Sequence, residues 1–152
     1  MVSRRGRSAI WDAVHAASRL KLRALEEAKA PIVLSDGLDT RSMHNLDRTI
    51  EEVQASSRVV YGIKLGDVRT LFTREFSKLA DETGGMHIRP SGNDFAGIFR
   101  RIESDLPTRY VLGFRPDPSA AREGLHQLRV ETTRPGAEVR ARAAYYQTAA
   151  GK

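Results

Sequence analysis

Cysteine is absent from this 152-residue chain, and that absence excludes disulfide bonds, thiolate metal sites and cysteine nucleophiles. The chain also lacks the Gly-x-Ser-x-Gly, Walker and Gly-x-Gly-x-x-Gly motifs that position a serine nucleophile or cradle a phosphate. Four histidines lie on different predicted elements, without the spacing of a zinc site: His15, His44, His87 and His126. The sequence therefore predicts no nucleophilic, nucleotide-binding or zinc-dependent chemistry.

Long uninterrupted apolar runs are missing too. The basic segment 1–7 leads into an amphipathic helical pattern and not into the apolar core of a signal peptide. No stretch of the sequence is apolar over the length that a membrane-spanning helix needs. We therefore expect neither a signal peptide nor a membrane span in this chain, and the sequence names no compartment.

Acidic residues are the minority among the charges, with 19 Asp and Glu against 25 Lys and Arg, a net charge of +6 and a pI near 10.1. The basic residues are spread along the chain, as at Arg19, Lys29, Arg100 and Arg140, which favours a solvated surface over a nucleic-acid site. Contents of 40% hydrophobic and 29% charged residues are typical of a globular protein, so we expect one domain or most of one.

An apolar run that ends abruptly at a carboxylate is the most informative local feature. Pro-Ile-Val-Leu-Ser-Asp-Gly at 31–37 is typical of a buried parallel strand, here spanning 31–34, with Asp36 just beyond its end. Ligands of open α/β sheets gather beyond the carboxyl ends of the strands, so Asp36 is a candidate site residue. Its alternative role is structural, because Asp-Gly pairs form turns by bonding their own backbone.

A long helical pattern, from about 9 to 29, precedes this strand, and Ser8 is its predicted N-cap. The helical period turns six residues toward the core: Ile10, Ala13, Val14, Ala17, Leu20 and Ala24. A strand leads into its following helix at the carboxyl edge of the sheet, so Ser8 and Asp36 are expected on the same rim. A hydroxyl and a carboxylate are the hard oxygen ligands that Mg²⁺ or Mn²⁺ prefers.

The central part of the chain continues an α/β pattern. Helices are expected at about 46–56 after an Asn45 cap, at about 72–83 before a Gly84-Gly85 stop, and at about 95–106. Ser91 and Asp94 form an approximate capping box for the last of these helices. Strands are expected at 59–65 and 86–88, and the strand-helix-strand order makes neighbouring strands parallel.

From Thr108 the hydrophobic period changes to two. Three extended strands are predicted, the first with Tyr110, Leu112 and Phe114, the others around 128–130 and 139–145, separated by turns and a polar loop at 119–124. The predicted fold class is thus α/β, a parallel sheet with flanking helices and a C-terminal antiparallel β extension. The predicted division is an α/β domain over 1–107, the β extension over 108–146 and a tail over 147–152.

Four motifs in this order resemble the VWFA-related branch of the von Willebrand factor A domain, known from Acidobacteria. They are Ser-Ala-Ile-Trp-Asp-Ala at 8–13, Ile-Val-Leu-Ser-Asp-Gly-Leu-Asp-Thr at 32–40, Glu-Thr-Gly-Gly at 82–85 and Tyr-Val-Leu-Gly-Phe-Arg-Pro at 110–116. The resemblance covers residues 8–146 and identifies the chain as similar to the second half of such a domain with its β extension. It implies that the sheet is a partial doubly wound, Rossmann-like sheet of the von Willebrand A type.

The resemblance implies a metal-ion-dependent adhesion site built from three loops. Ser8 matches the hydroxyl residue of the second loop and Asp36 the aspartate of the third, whereas the Asp-x-Ser-x-Ser motif of the first loop is absent. Arg7 stands where the family often has glycine. Asp39 is a third candidate ligand, and its alternative role is to bond the backbone of its own loop. With so few protein ligands, Mg²⁺ or Mn²⁺ is expected to bind weakly.

The resemblance further implies a non-enzymatic protein-binding, adhesion-type module in which a partner's acidic side chain completes the coordination of the metal. It also leaves the 31–34 strand without its usual neighbour, so we expect an open apolar edge that leads to self-association, to pairing with a complementing partner or to marginal stability. Two alternatives stay open: a metal-free structural or oligomerisation fragment, and Mg²⁺-dependent phosphoryl transfer at Asp36. Proteins with the resembling domain are often exported.

Overall fold

The structure is a computed structural model that describes residues 7–19, 30–36, 38–56, 58–66, 72–92, 94–116 and 123–147. The helices are α1 Ile10–Arg19, α2 Leu46–Ala55, α3 Phe72–Thr83 and α4 Phe95–Asp105, the last continued by a 3-10 turn over Leu106–Thr108. The strands are β1 Ile32–Ser35, β2 Tyr61–Lys64, β3 Met86–Ile88, β4 Gly124–Gln127 and β5 Ala144–Gln147. The chain is thus a mixed α/β protein.

The first three strands form a parallel sheet in the order β1-β2-β3. Ile32 of β1 lies beside Tyr61 of β2, which in turn lies beside Met86 of β3. This confirms the predicted strand-helix-strand unit and its parallel direction. It also makes β1 an edge strand within the described part of the chain, and the carboxyl ends of all three strands point to the same rim.

Helices cover both faces of this sheet. On one face α1, α2 and α3 pack against Val33 and Val60, and Trp11 lies 5.6 Å from Phe76 between ring centroids. On the other face α4 packs on β2 and β3, so that Ile63 contacts Ile98 and Ile102 in a second apolar cluster. Trp11 is also buried in this core, although it is not among the core positions predicted for α1.

Helix ends agree with the sequence where a single side chain sets them. The Asn45 side chain accepts a hydrogen bond from Arg48 N at 2.9 Å, which confirms the predicted cap of α2. Gly84 ends α3 with a φ of 76°, the left-handed conformation that suits glycine. The capping box at Ser91 is wrong, because Asp94 itself is the N-cap of α4 and accepts from Gly97 N at 2.9 Å. The predicted continuation of α1 through 20–29 lies outside the described residues.

Within residues 109–116 and 123–147, the described part of the C-terminal region, there are two strands and not the three that were predicted. β4 and β5 form a separate antiparallel pair, with His126 beside Tyr145. They lie near the predicted second and third strands but are displaced along the chain. Residues 109–116 adopt no strand, although their apolar residues alternate. Alternation alone does not make a strand, because the backbone needs a partner for its hydrogen bonds. Residues 119–122 of the predicted polar loop lie outside the described ranges.

Residues 123–147, here called the C-terminal layer, are joined to the helices and their connecting segments, the helical layer, by hydrogen bonds at the amino-terminal side of the sheet. Ala143 N donates to Glu82 O at 3.0 Å, and Arg140 donates to the Asp105 carboxylate. Arg109 donates to Gly84 O at 2.9 Å and to Asp105 Oδ2 at 2.9 Å. None of the helices within the described ranges combines the length and apolar character that crossing a membrane requires.

Candidate functional site

The carboxyl rim of the sheet is organised around Asp39. Its Oδ2 accepts hydrogen bonds from Ile10 N at 2.7 Å and Trp11 N at 3.0 Å, the first free N–H groups of α1. Ser42 Oγ accepts from the next one, Asp12 N, at 3.0 Å. The predicted N-cap at Ser8 is therefore wrong: side chains 28 to 30 positions further along the chain cap this helix, which a local pattern cannot reveal.

A second set of bonds fastens the same two segments in the opposite direction. Asp12 accepts from Met43 N and His44 N, both at 2.9 Å, and lies 2.6 Å from His44 Nδ1. The backbone carbonyl of Ser8 accepts from Thr40 N at 2.9 Å and Arg41 N at 3.1 Å. The 8–12 and 39–44 segments thus form one interlocked unit, which we call the rim clasp.

Electrostatics favour ionised carboxylates in the rim clasp. Backbone N–H bonds from Met43 and His44 are the main reason that the pKa of Asp12 falls to about 2. For Asp39, burial raises the pKa, but hydrogen bonds from Ser42 and the backbone of α1 outweigh it and hold the pKa below its usual value. Because ionised Asp12 only accepts, the Nδ1 proton lies on His44.

The three predicted metal ligands differ in how free their oxygens are. Asp39 accepts five hydrogen bonds, three at Oδ2 and two at Oδ1, so a metal ion there would have to displace several of them. Asp36 is exposed, and its Oδ1 accepts from Leu38 N at 3.2 Å in the turn that the sequence offered as the alternative. Ser8 lines the same groove as Ser35, the residue next to Asp36.

These oxygen ligands fit a weakly bound and largely hydrated ion better than a tightly bound one. One exposed carboxylate and one hydroxyl leave most positions of an octahedral Mg²⁺ shell to water. Among the described residues, no group of three or more His, Asp or Glu side chains has an arrangement that could hold a metal ion. Metal binding at Ser8, Asp36 and Asp39 stays a prediction, with Ser8 and Asp36 as the better placed pair.

An open groove runs between α1 and the edge strand and ends at the rim clasp. It encloses about 540 Å³, with the backbone of β1 on one side and Ala9, Ala13 and Ala17 on the other. These alanines recur every fourth residue and so follow one line of the helix. The sequence prediction turned Ala13 and Ala17 toward the core, but Ala13 is exposed to the groove and Ala17 is half-buried; of the predicted core positions within the described part of α1, Ile10 and Val14 are the buried ones.

The edge of β1 beside this groove offers backbone groups and apolar side chains together. Tyr61 N donates to Pro31 O and Leu65 N donates to Ser35 O, so residues 31, 33 and 35 face β2. In a parallel strand the alternate residues, Ile32 and Leu34, then direct their N–H and C=O groups away from β2. Their side chains are 37% and 45% exposed, because α4 covers β2 and β3 on that face.

A stacked histidine pair lies behind the rim clasp. The rings of His15 and His44 are 3.9 Å apart and inclined by 15°. His15 is buried, and its Nδ1 has no hydrogen-bond partner. Burial, and secondarily the charge of His44, lowers the pKa of His15. The spacing of 29 residues between the two histidines gave no signal in the sequence, since it reports neither a helix turn nor a ligand motif.

A polar network occupies the opposite, amino-terminal side of the sheet. Tyr61 OH donates to Asp105 Oδ2 at 2.6 Å, and Arg109 NH2 donates to Tyr61 OH at 3.1 Å. Burial raises the pKa of Asp105, but hydrogen bonds from Tyr61, Arg140 and Arg109 hold it below its usual value. These groups satisfy one another and link the two layers.

Comparison with known proteins adds no constraint to this geometry. No protein family, curated protein or solved structure matches the chain. The features of this chain that bear on its function are therefore the edge of β1, the groove beside it and the residues of the carboxyl rim.

Proposed function

We propose that this chain is a non-enzymatic protein-binding module that takes up an extended polypeptide along the edge of β1. The observation that carries the proposal is the exposed, apolar edge strand lying beside the α1–β1 groove. Edge strands with unpaired N–H and C=O groups are templates for pairing with another chain. Proteins that bind peptides in this way obtain affinity from backbone bonds and specificity from pockets for alternate side chains.

The groove supplies the second half of such a binding site. A strand added beside β1 directs every other side chain toward α1, where alanines leave space, and the remaining side chains toward Ile32 and Leu34. The occupant is therefore an extended, predominantly apolar segment. It lies parallel to β1 in the architecture we propose, because the remaining strands of the sheet are parallel.

The von Willebrand A-like relationship belongs to the same proposal. A parallel sheet in the order β1-β2-β3, helices on both faces and a separate antiparallel pair are what supports it. In this reading Ser8 and Asp36 form a partial metal-ion-dependent adhesion site, and a partner's carboxylate fills an open position of a weakly held Mg²⁺ or Mn²⁺. The metal-free alternative uses the edge and groove alone, and full hydrogen bonding of Asp39 favours it.

Amide hydrogen exchange tests the edge directly. The probe is a lysine-flanked peptide of alternating valine and threonine, added in excess to the full chain. Binding along the edge should slow exchange at the outward amides of Ile32 and Leu34, while Val33 N–H, which faces β2, serves as an internal reference. The variant Leu34→Pro removes one outward donor at a position where an edge strand tolerates proline, and should abolish the added protection. Unchanged exchange at both outward amides would refute the proposal.

Thermal unfolding with added Mg²⁺ or Mn²⁺ tests the metal site. A ligand that binds only the folded chain raises its stability, so the unfolding temperature should rise with metal concentration. The rise should disappear in Asp36→Ala and persist in Glu103→Ala, an exposed carboxylate on α4. If neither metal shifts unfolding of the unaltered chain, the metal-free form of the module is the correct one.

A further inference from the structure

We infer that the strand bound along β1 is residues 110–114 of a second copy of this chain, so that two copies associate by exchanging these segments reciprocally. The inference rests on the edge-binding part of the proposed function and not on its metal site. It concerns a segment, here called the 110–114 ribbon, whose apolar residues the fold leaves in solvent.

The 110–114 ribbon has the amino-acid composition of a β-strand, but none of the strands in the described ranges pairs with it. Tyr110, Val111 and Leu112 are 91%, 98% and 71% exposed, and Phe114 touches the chain through an edge-on contact with Tyr145. The segment leaves the 3-10 turn in an extended conformation, with φ −81° and ψ 135° at Arg109. Tyr, Val and Phe have high strand propensity. An exposed apolar segment of this size marks an interaction surface.

Anchoring at both ends prepares the ribbon for pairing. Arg109 is held by Asp105, Tyr61 OH and Gly84 O, and the Phe114 ring lies 5.0 Å from Tyr145. A segment that is held at both ends loses less conformational freedom on binding than a free one. The ribbon therefore resembles a presented strand more than a flexible loop.

Length and charge match the ribbon to the β1 edge in one direction. When Leu112 lies level with Val33 in a parallel pair, Arg115 lies level with Asp36, just beyond the carboxyl end of each segment. Arg115 and Asp36 are both exposed, and no ion pair is found for either of them among the described residues. Opposite charges at the same end favour the parallel arrangement, whereas an antiparallel pair would separate them.

The same register suits the groove. Side chains at level positions of neighbouring strands point to the same face, so Leu112 joins Val33 beneath α1. There the alanines at 9, 13 and 17 leave room for a leucine side chain. Val111 points to the opposite face, next to the exposed side chain of Ile32. In this register a large side chain of the ribbon therefore lies opposite small side chains of α1.

Reciprocal exchange doubles the buried interface area, because a single short strand contact buries too little for a stable dimer. Each copy both presents a ribbon and receives one, so a two-fold dimer contains two identical ribbon-edge contacts. A stable interface buries about 800 Å² on each partner, and two four- to five-residue strand contacts per copy approach that area. The predicted assembly is a dimer, because mutual exchange closes and leaves no further edge available.

The test compares four proteins by sedimentation velocity and native mass spectrometry over a range of concentrations, in buffer with a chelator to exclude metal. The unaltered chain should dimerise. Leu34→Pro, which damages the receiving edge, and Leu112→Lys, which damages the ribbon, should each be monomeric. Met43→Lys, at a 93% exposed position away from both elements, should dimerise as the unaltered chain does.

Mixing the two monomeric variants gives the decisive result. The ribbon of Leu34→Pro is intact and so is the edge of Leu112→Lys, so a mixed pair can form one of the two ribbon-edge contacts. At high concentration the mixture should therefore contain heterodimers that are weaker than the dimer of the unaltered chain and that neither variant forms alone. Absence of heterodimers, or dimers that persist in either single variant, would overturn the inference. Circular dichroism confirms that each variant is folded, and the charge swap Asp36→Arg with Arg115→Asp should restore dimers that Asp36→Arg alone weakens.

The outcomes separate this inference from the proposed function. If the unaltered chain stays monomeric at every concentration but the valine-threonine peptide still protects the Ile32 and Leu34 amides, the edge binds polypeptide and the second-copy inference is wrong. If neither dimer nor protection is seen, both are wrong. A dimer that protects those amides in the absence of peptide supports both.

Discussion

At the scale of single residues, Asp36 and Asp39 show how position decides the role of a carboxylate. They are three positions apart, and the sequence offered both as metal ligands. Asp36 lies exposed in a turn, whereas Asp39 accepts five hydrogen bonds and caps a helix that is distant in sequence. A carboxylate engaged in this way stabilises the fold and has little capacity left for an ion.

Replacing Asp39 by alanine should lower the free energy of unfolding by about 2 kcal/mol, the upper range for losing a helix cap, because two N–H groups of α1 lose their acceptor. Urea unfolding measures the change. The matched control is Asp36→Ala, at the exposed turn position, which should change stability by less than about 0.5 kcal/mol. Equal losses in the two variants would contradict the capping role of Asp39.

The buried His15 makes stability depend on pH. Its pKa is lowered from 6.5 by burial first and then by the charge of His44, so the unfolded chain binds a proton more readily than the folded one. His15 therefore does not reduce the free energy of unfolding above about pH 6.5. As the pH drops through and below that value, the unfolded chain takes up the proton and the free energy of unfolding decreases. Burial lowers the pKa of His87 as well, and that residue adds to the same loss.

The measurement is the urea midpoint at pH 7.5 and pH 5.5. His15→Phe, which keeps an aromatic ring beside His44, should show a smaller decrease than the unaltered chain. The decrease that remains should shrink further when His87→Phe is added. A decrease of the same size in all three proteins would mean that neither histidine causes it.

At the scale of elements, the sequence predicted those helices and strands whose hydrophobic period coincides with a local end signal. Asn45 before α2 and Gly84 after α3 are examples, since each acts on backbone groups within a few residues. The prediction failed at residues 108–114, where a period of two produced no strand. A strand forms only with a neighbour, and no local pattern specifies where that neighbour lies.

Gly85 is a position where the contact between elements excludes every side chain. A Cβ there would lie 1.9 Å from the carbonyl oxygen of Val60, a backbone atom that cannot move aside. Gly85→Ala should therefore cost at least about 3 kcal/mol or prevent folding. Gly113→Ala, where a Cβ would meet nothing within 4 Å, is the matched control and should be nearly neutral. Thermal unfolding of the two variants would show the difference, and similar melting temperatures would refute the close approach.

At the scale of the whole molecule, charged hydrogen bonds at Asp105 join the C-terminal layer to the helices. Arg140, Arg109 and Tyr61 OH all donate to this one carboxylate, and its side chain is only 10% exposed. The predicted division into 1–107 and 108–146 stays a prediction. What the structure adds is that Arg140 reaches the helical layer from beyond that boundary.

Arg140→Ala should loosen the C-terminal layer without unfolding the sheet. Losing one charged hydrogen bond, discounted for the partial exposure of Arg140, should lower the stability of this attachment by about 1 kcal/mol. Limited proteolysis should then cleave residues 123–147 roughly five times faster, since that energy corresponds to a factor of about five. Arg134→Ala, an exposed arginine in a turn of the same layer, should leave the cleavage rate unchanged. Equal rates for both variants would contradict the proposed attachment.

The sequence by itself determined the class of this fold: an apolar run at 31–35, amphipathic helices and short links specify parallel strands with helices on their faces, because period and capping are local properties. It also located the carboxyl rim at Ser8 and Asp36. Which groups meet there depends on the three-dimensional fold. Asp39 caps α1, His15 stacks on His44, and the alanines of α1 line a groove beside β1, since each contact joins residues that the chain alone keeps far apart. The exposure of the 110–114 ribbon was decided in the same way, by the absence of a strand beside it within the part of the chain that is described.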